Sequence, residues 1–358
     1  MPMTRWTTVV PVIAAVLLVA TWGSKPPAVM LALIGVVLAG AVLSAVHHAE
    51  VVAHRVGEPY GSIVLAVAVT VIEVGLIVTL MVSGDGDDAS TLARDTVFAA
   101  VMITCNGIVG ICLVVGALRR RFAEFNAEGT ATALATVCTL ATLSLVLPTF
   151  TESAPGPEFT SSQLAFAATA SFALYALFVF IQAIRHRDYF LPVEEDTAHE
   201  SHADPPSGRA AGSSLFLLVV ALISVVGLAK VESPAIEDVV DAVGAPQSAV
   251  GVIIALLVLA PETLAAVRNA RRDRVQTSFN LAFGSAIASI GLTIPAIAVA
   301  SIWVEGPLAL GLEPTQMVLL AITAVVGALT VLPGRATLQE GGVHLALFAA
   351  FLFLAVVP

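Results

Sequence analysis

Two glutamates carry the chemistry of this chain. Glu73 lies in Val71-Ile72-Glu73-Val74-Gly75-Leu76-Ile77, with no charged residue within ten positions on either side. Glu262 follows a proline in Leu259-Ala260-Pro261-Glu262-Thr263, inside a second apolar run. A carboxylate at the centre of a bilayer is unfavourable by about 2.5–3.5 kcal/mol on insertion scales, so such groups face a bundle interior and mark ion or proton paths. A proline within a helix leaves one backbone carbonyl without its donor. Carboxylate and carbonyl oxygens suit a hard cation such as Ca²⁺ or Na⁺. Pro261 is therefore expected as a helix break that exposes carbonyls, and Glu73 and Glu262 as the groups that bind cation and proton. Two facing carboxylates in low dielectric hold either protons or a cation, and titrate as a coupled pair.

The two glutamates sit in matching surroundings. Val56-Gly57-Glu58-Pro59-Tyr60 opens the run that reaches Glu73, and Val243-Gly244-Ala245-Pro246-Gln247 opens the run that reaches Glu262. Acidic residues precede each opening: Glu50 in the first, Glu237, Asp238 and Asp241 in the second. Proline suits a first helical turn. At 1.5 Å per residue, each carboxyl lies roughly 21–24 Å into its helix, within the hydrocarbon region. The likeness resumes where Cys105–Leu113 lies against Gly284–Leu292, with Ile108/Ile287, Ile111/Ile290 and Leu113/Leu292 coinciding and Asn106 falling on Ser285. This pattern argues for an internal duplication.

The elements that position these residues are membrane helices. Of 358 residues, 58% are hydrophobic and only 12% charged, with a mean hydropathy of +0.96. A soluble domain carries about 25% charged residues. A soluble enzyme, a nucleic-acid partner and a secreted disulfide scaffold are excluded. Cys105, Cys112 and Cys138 all lie inside apolar runs and read as small core residues. The fold class is an all-α polytopic membrane protein. Gly, Pro and charge divide it into eleven spans, near 7–22, 28–48, 61–83, 95–117, 131–148, 163–185, 213–230, 247–270, 276–302, 316–333 and 341–357. With the N-terminus in the cytoplasm, 13 of the 16 basic residues fall inside; only Lys25, Arg94 and Lys230 fall outside, as the positive-inside rule requires. The C-terminus then lies in the periplasm or extracellular space.

Glu73 falls in the third span and Glu262 in the eighth. An odd separation makes the copies face opposite ways, the inverted-repeat layout of secondary transporters. The expected organisation is an N-terminal helix (1–27), a five-helix repeat (28–185), an acidic cytoplasmic linker (186–212) and a second five-helix repeat (213–358). Supporting polar groups are Thr70, about one turn before Glu73, with Asn106, Asn280, Ser285 and Ser289. Gly107, Gly110 and Gly284 would permit close helix approach.

These residues resemble the calcium/cation antiporter superfamily, in its cation/proton exchanger branch. The match is closest to the bacterial inner-membrane calcium/proton and sodium/proton antiporters. Glu262-x₆-Asn269-x₃-Asp273, Ala282-x-Gly284-Ser285 and Pro295 follow the family's second repeat motif. Gly57-Glu58-Pro59-Tyr60, the stretch Leu92–Ile103 and His186–Pro192 look like the bacterial subgroup. The resemblance implies that Glu73 and Glu262 are the two repeat glutamates and that cytoplasmic cation leaves as external protons enter. It implies no resident cofactor, since Ca²⁺, Na⁺ and H⁺ are cargo, and leaves a homo-oligomer open. Where the family has Gly-Asn before each glutamate, this chain has Val69-Thr70 and Val258-Leu259; Cys105-Asn106 replaces Gly-Ser. Fewer oxygen ligands keep Na⁺ and K⁺ open beside Ca²⁺. The alternative is a cation channel or uniporter without proton coupling. Neither a His-Glu-x-x-His nor a Gly-x-Ser-x-Gly motif is present, so an intramembrane enzyme is not expected.

Overall fold

The computed structural model describes residues 5–24, 26–57, 60–83, 87–191, 206–242, 244, 246, 248–303 and 306–357. Among these residues eleven helices follow one another: α1 (Arg5–Thr21), α2 (Ala28–Val56), α3 (Tyr60–Ser83), α4 (Ser90–Arg119), α5 (Ala127–Phe150), α6 (Ser161–Arg185), α7 (Gly208–Ala242), α8 (Ser248–Ala270), α9 (Val275–Ala300), α10 (Pro314–Val331) and α11 (Leu338–Val356). Nine are long and apolar enough to cross a membrane, and α1 and α3 contain shorter apolar stretches, Trp6–Thr21 and Val64–Thr79. The chain is a multi-pass membrane protein. Each helix lies on one of the spans read from the sequence.

Two helices outrun their spans. α2 continues to Val56, and α7 continues past Lys230, through Pro234, to Ala242. The charged residues there end the apolar count, but charge does not end a helix. Glycine does: Gly57 caps α2 at φ 79°, and Gly244 follows α7 at φ 67°. Only glycine adopts these angles without strain. The Val-Gly-x-Pro openings are thus matching helix stops, and the acidic stretches before them are the tails of α2 and α7.

The helices form two compact units, Met1–Ala89 with His199–Val250 and Ser90–Ala198 with Gly251–Pro358. Each draws on both linear halves, so the division by packing cuts across the division at 28–185 and 213–358. Of the linker, 192–205 lies outside the described residues, Arg187–Phe190 is a short 3₁₀ turn and α7 already begins at Gly208.

Unit 1 holds α1, α2, α3 and α7. Glycines bring these helices close. A Cβ at Gly227 of α7 would lie 2.6 Å from Leu18 of α1, and one at Gly75 of α3 would lie 2.6 Å from Val226 of α7. In unit 2, α11 lies on α4 through Gly107, whose missing Cβ faces the Phe348 ring at 3.3 Å, and Gly110, which faces Leu345 and His344. The close approach expected of these two glycines is present. Gly284 differs, because nothing lies within 4 Å of a Cβ placed there.

Both ends of unit 2 are tied by polar contacts. At the arginine-rich end, β1 (Ala123–Glu124) pairs antiparallel with β2 (Arg335–Ala336). Arg120 approaches Asp273 at 3.6 Å, and the Asn126 N–H donates to Gln276. At the opposite end the N–H groups of Gly311 and Leu312 donate to the carbonyls of Pro157 and Leu145. Capping boxes start α6 at Thr160 and α11 at Thr337, satisfying N–H groups that a helix end leaves open.

Candidate cation and proton site

Glu73 sits at the middle of α3 and is 4% exposed. Ile72, Leu76 and Ile77 beside it are buried as completely. Thr70, one turn earlier, is also buried. Gly75 lets α7 approach α3 two residues beyond the glutamate. Burial keeps this carboxyl from water, so its negative charge is stable there only when a proton, a cation or a bonded partner compensates it.

Glu262 belongs to unit 2 and is half-buried on α8. The expected helix break at Pro261 is absent: α8 is continuous from Ser248 to Ala270. The proline removes only the N–H that would bond the Leu257 carbonyl, and the surrounding turns hold. The Thr263 hydroxyl donates a further bond to the Leu259 carbonyl at 2.7 Å.

The supporting residues go to different places. Asn106 lies in a π-helical segment of α4, Ile103–Ile108, and is fully buried. Its Nδ2 donates to Thr323 Oγ1 at 2.9 Å, and its Oδ1 meets His344 Nδ1 at 3.1 Å. His344 Nε2 meets Thr330 Oγ1 at 3.1 Å. With Nδ2 directed at Thr323, Asn106 Oδ1 accepts from His344 Nδ1, and both ring nitrogens of His344 are hydrogen-bonded. Asn280 lies near the arginine-rich end, where its Nδ2 donates to the Phe190 carbonyl and its Oδ1 accepts from Gln276. Ser289 is buried and Ser285 half-buried on α9.

Three features escaped the sequence reading. His344 falls just inside the last span, 341–357, and the sequence pattern gives it no role, although Thr323 and Thr330 share a face of α10 at two-turn spacing and could have signalled a partner. Arg94 and Asp95 were placed at the outer edge of a span, yet they are 5% and 3% exposed. Arg94 Nε donates to Asp95 Oδ1 at 2.8 Å, its Nη2 lies 3.2 Å from Glu313 Oε1, and Gln316 donates to Asp95. Glu232 falls beyond the span at 213–230, yet it lies within α7 beside Gly35 of α2. Among the described residues, no three His, Cys, Asp or Glu side chains form a metal-holding group.

The family described as "Sodium/calcium exchanger protein" matches residues 26–184 and 213–357. The protein y4hA of Sinorhizobium fredii is 45% identical over 358 residues, covering 99% of this chain and 96% of its own. The sodium-potassium/proton antiporter ChaA of Escherichia coli is 36% identical over 352 residues, covering 96% and 93%. The crystal structure of the selenium-substituted Ca²⁺/H⁺ antiporter YfkE has the same fold, with a TM-score of 0.70 at 15% identity over 99% of this chain and 100% of that one.

Proposed function

Because the chain belongs to the sodium/calcium exchanger protein family, a family of transporters and not of enzymes, we propose that it is a secondary antiporter exchanging cytoplasmic cations for external protons by alternating access. The observation that carries this reading is Glu73, a carboxyl 4% exposed in the middle of an apolar helix. Glu262 on α8 is its counterpart. Each carboxylate needs a balancing charge inside the bilayer. A proton or a cation supplies it, so loading one releases the other. One divalent ion balances two carboxylates; a monovalent ion balances one and leaves the other to a proton or a second ion.

Na⁺ and K⁺ come before Ca²⁺ in the proposed cargo. Ca²⁺ takes 6–8 oxygen ligands, and Val258 and Leu259, buried just before Glu262, offer no side-chain oxygen. The 36% identical ChaA is a sodium-potassium/proton antiporter. The proposed setting is the cell inner membrane, with the N-terminus and the arginine-rich end cytoplasmic and the C-terminus periplasmic.

Everted vesicles loaded with a pH dye test this reading, with Na⁺, K⁺ and Ca²⁺ added separately. Each transported cation should raise luminal pH as protons leave. Glu73→Gln and Glu262→Gln should lower exchange at least about 100-fold, a loss of more than ~2.7 kcal/mol in the balance of charge, while an immunoblot shows normal insertion. Wild-type exchange in either variant overturns the two-glutamate site. Cation flux that leaves luminal pH unchanged overturns antiport in favour of a channel.

A further inference from the structure

Unit 1 carries a groove that the exchange reaction does not use. Leu18 of α1, Trp22 just beyond its end, Val71 of α3, and Ile223, Val226 and Gly227 of α7 line a space of about 710 Å³. Its walls are apolar, and several face outward: Ile223 is 63% exposed and Trp22 60%. In a helix of a membrane protein, such faces meet lipid. Gly227 lets α1 and α7 approach closely along the groove floor.

One end of the groove is charged. Lys230 lies one turn beyond Val226 on the same face of α7, and its Nζ stands 5.8 Å from the centre of the Trp22 ring. Trp22 follows the last residue of α1, and tryptophan favours the membrane–water interface. The ring covers one side of the ammonium, leaving its remaining N–H donors for an anion. Glu232 is on another side of α7, toward Gly35 of α2, so it does not neutralise this rim.

We propose that the groove binds one phospholipid with a net anionic headgroup, its phosphate at Lys230 and an acyl chain reaching along α7 to Val71. The chain would then lie against the helix that carries Glu73. A zwitterionic headgroup brings its own cation to Lys230 and is disfavoured.

Fluorescence of Trp22 tests the proposal without any transport assay. The full chain with Trp6→Phe and Trp303→Phe, which leaves Trp22 as the only tryptophan, is reconstituted in phosphatidylcholine vesicles. Brominated phosphatidylglycerol or brominated phosphatidylcholine is added as quencher. Trp22 should prefer phosphatidylglycerol about fivefold, as one basic residue near a lipid phosphate provides, and Lys230→Gln should bring the ratio close to one. Equal quenching by both lipids, or a preference that survives Lys230→Gln, overturns the proposal. If the double variant fails to insert, native mass spectrometry of the wild-type chain and Lys230→Gln with equimolar lipids decides. A phosphatidylglycerol adduct lost in Lys230→Gln supports the site, and identical adducts overturn it.

Discussion

The two units treat their buried polar groups differently. In unit 2, Asn106, His344, Thr323 and Thr330 form one closed set of hydrogen bonds, and Arg94, Asp95, Glu313 and Gln316 form another. In unit 1, His47 Nε2, His48 Nδ1, Ser214 Oγ and Glu232 Oε2 are buried without a hydrogen-bond partner among the described residues, whereas in unit 2 the same holds of one oxygen, Glu262 Oε2, on a residue that has another interaction. His48 does use its other nitrogen, which with the Ser44 hydroxyl donates to the Thr7 carbonyl. A buried polar atom left unpaired costs about 1–3 kcal/mol. Closed networks favour one arrangement of α4, α10 and α11. The four open atoms on α2 and α7 specify the packing of those helices less tightly than a closed network would.

The largest effect should come from the Arg94 cluster. Removing one partner of a buried ion pair costs about 3–5 kcal/mol, because the other charge stays buried alone. Arg94→Leu strands Asp95 and also frees Glu313. A drop in the thermal midpoint of the detergent-solubilised protein, larger than for any single change at His48 or Ser214, is expected. An unchanged midpoint would break the contrast between the units at its strongest point.

The contrast was only partly legible in the sequence. Eleven helices could be read because apolar runs of this length have no other use, and Glu73 stood out because nothing charged surrounds it. The packing units could not be read, since α7 joins α1, α2 and α3 across more than a hundred residues of chain. Glu232 and Asp95 were hidden for one physical reason. A hydropathy count ends at the first charges, whereas a helix continues until a glycine or a lost donor stops it. Pro261 misled in the opposite direction, because one missing N–H does not break a helix whose neighbouring bonds remain. Asn106 was found, but its partners on α10 and α11 lie more than two hundred residues away.

A smaller effect should follow from opening the Asn106 network. His344→Leu removes two hydrogen bonds and leaves Asn106 Oδ1 and Thr330 Oγ1 without that partner. Interhelical hydrogen bonds in membranes average about 0.6 kcal/mol and reach about 1.7, so a loss of about 1–3 kcal/mol is expected. His344→Asn can still donate toward Asn106 and should recover part of the midpoint. Equal midpoints for the two variants would mean that shape, and not hydrogen bonding, matters at this position.

The smallest effect separates two serines of similar burial. Ser144 and Ser171 of unit 2 share a hydrogen bond of 3.0 Å, and both are fully buried. Ser214 of unit 1 is fully buried too, with no partner for its hydroxyl among the described residues. Ser144→Ala should lower stability by about 0.5–1.5 kcal/mol, because Ser171 loses its partner. Ser214→Ala removes a hydroxyl that costs energy where it is, so stability should stay within about 0.5 kcal/mol or rise. Thermal midpoints measured side by side decide the matter. If Ser214→Ala falls as far as Ser144→Ala, the Ser214 hydroxyl has a partner in the membrane, and unit 1 is as well satisfied there as unit 2.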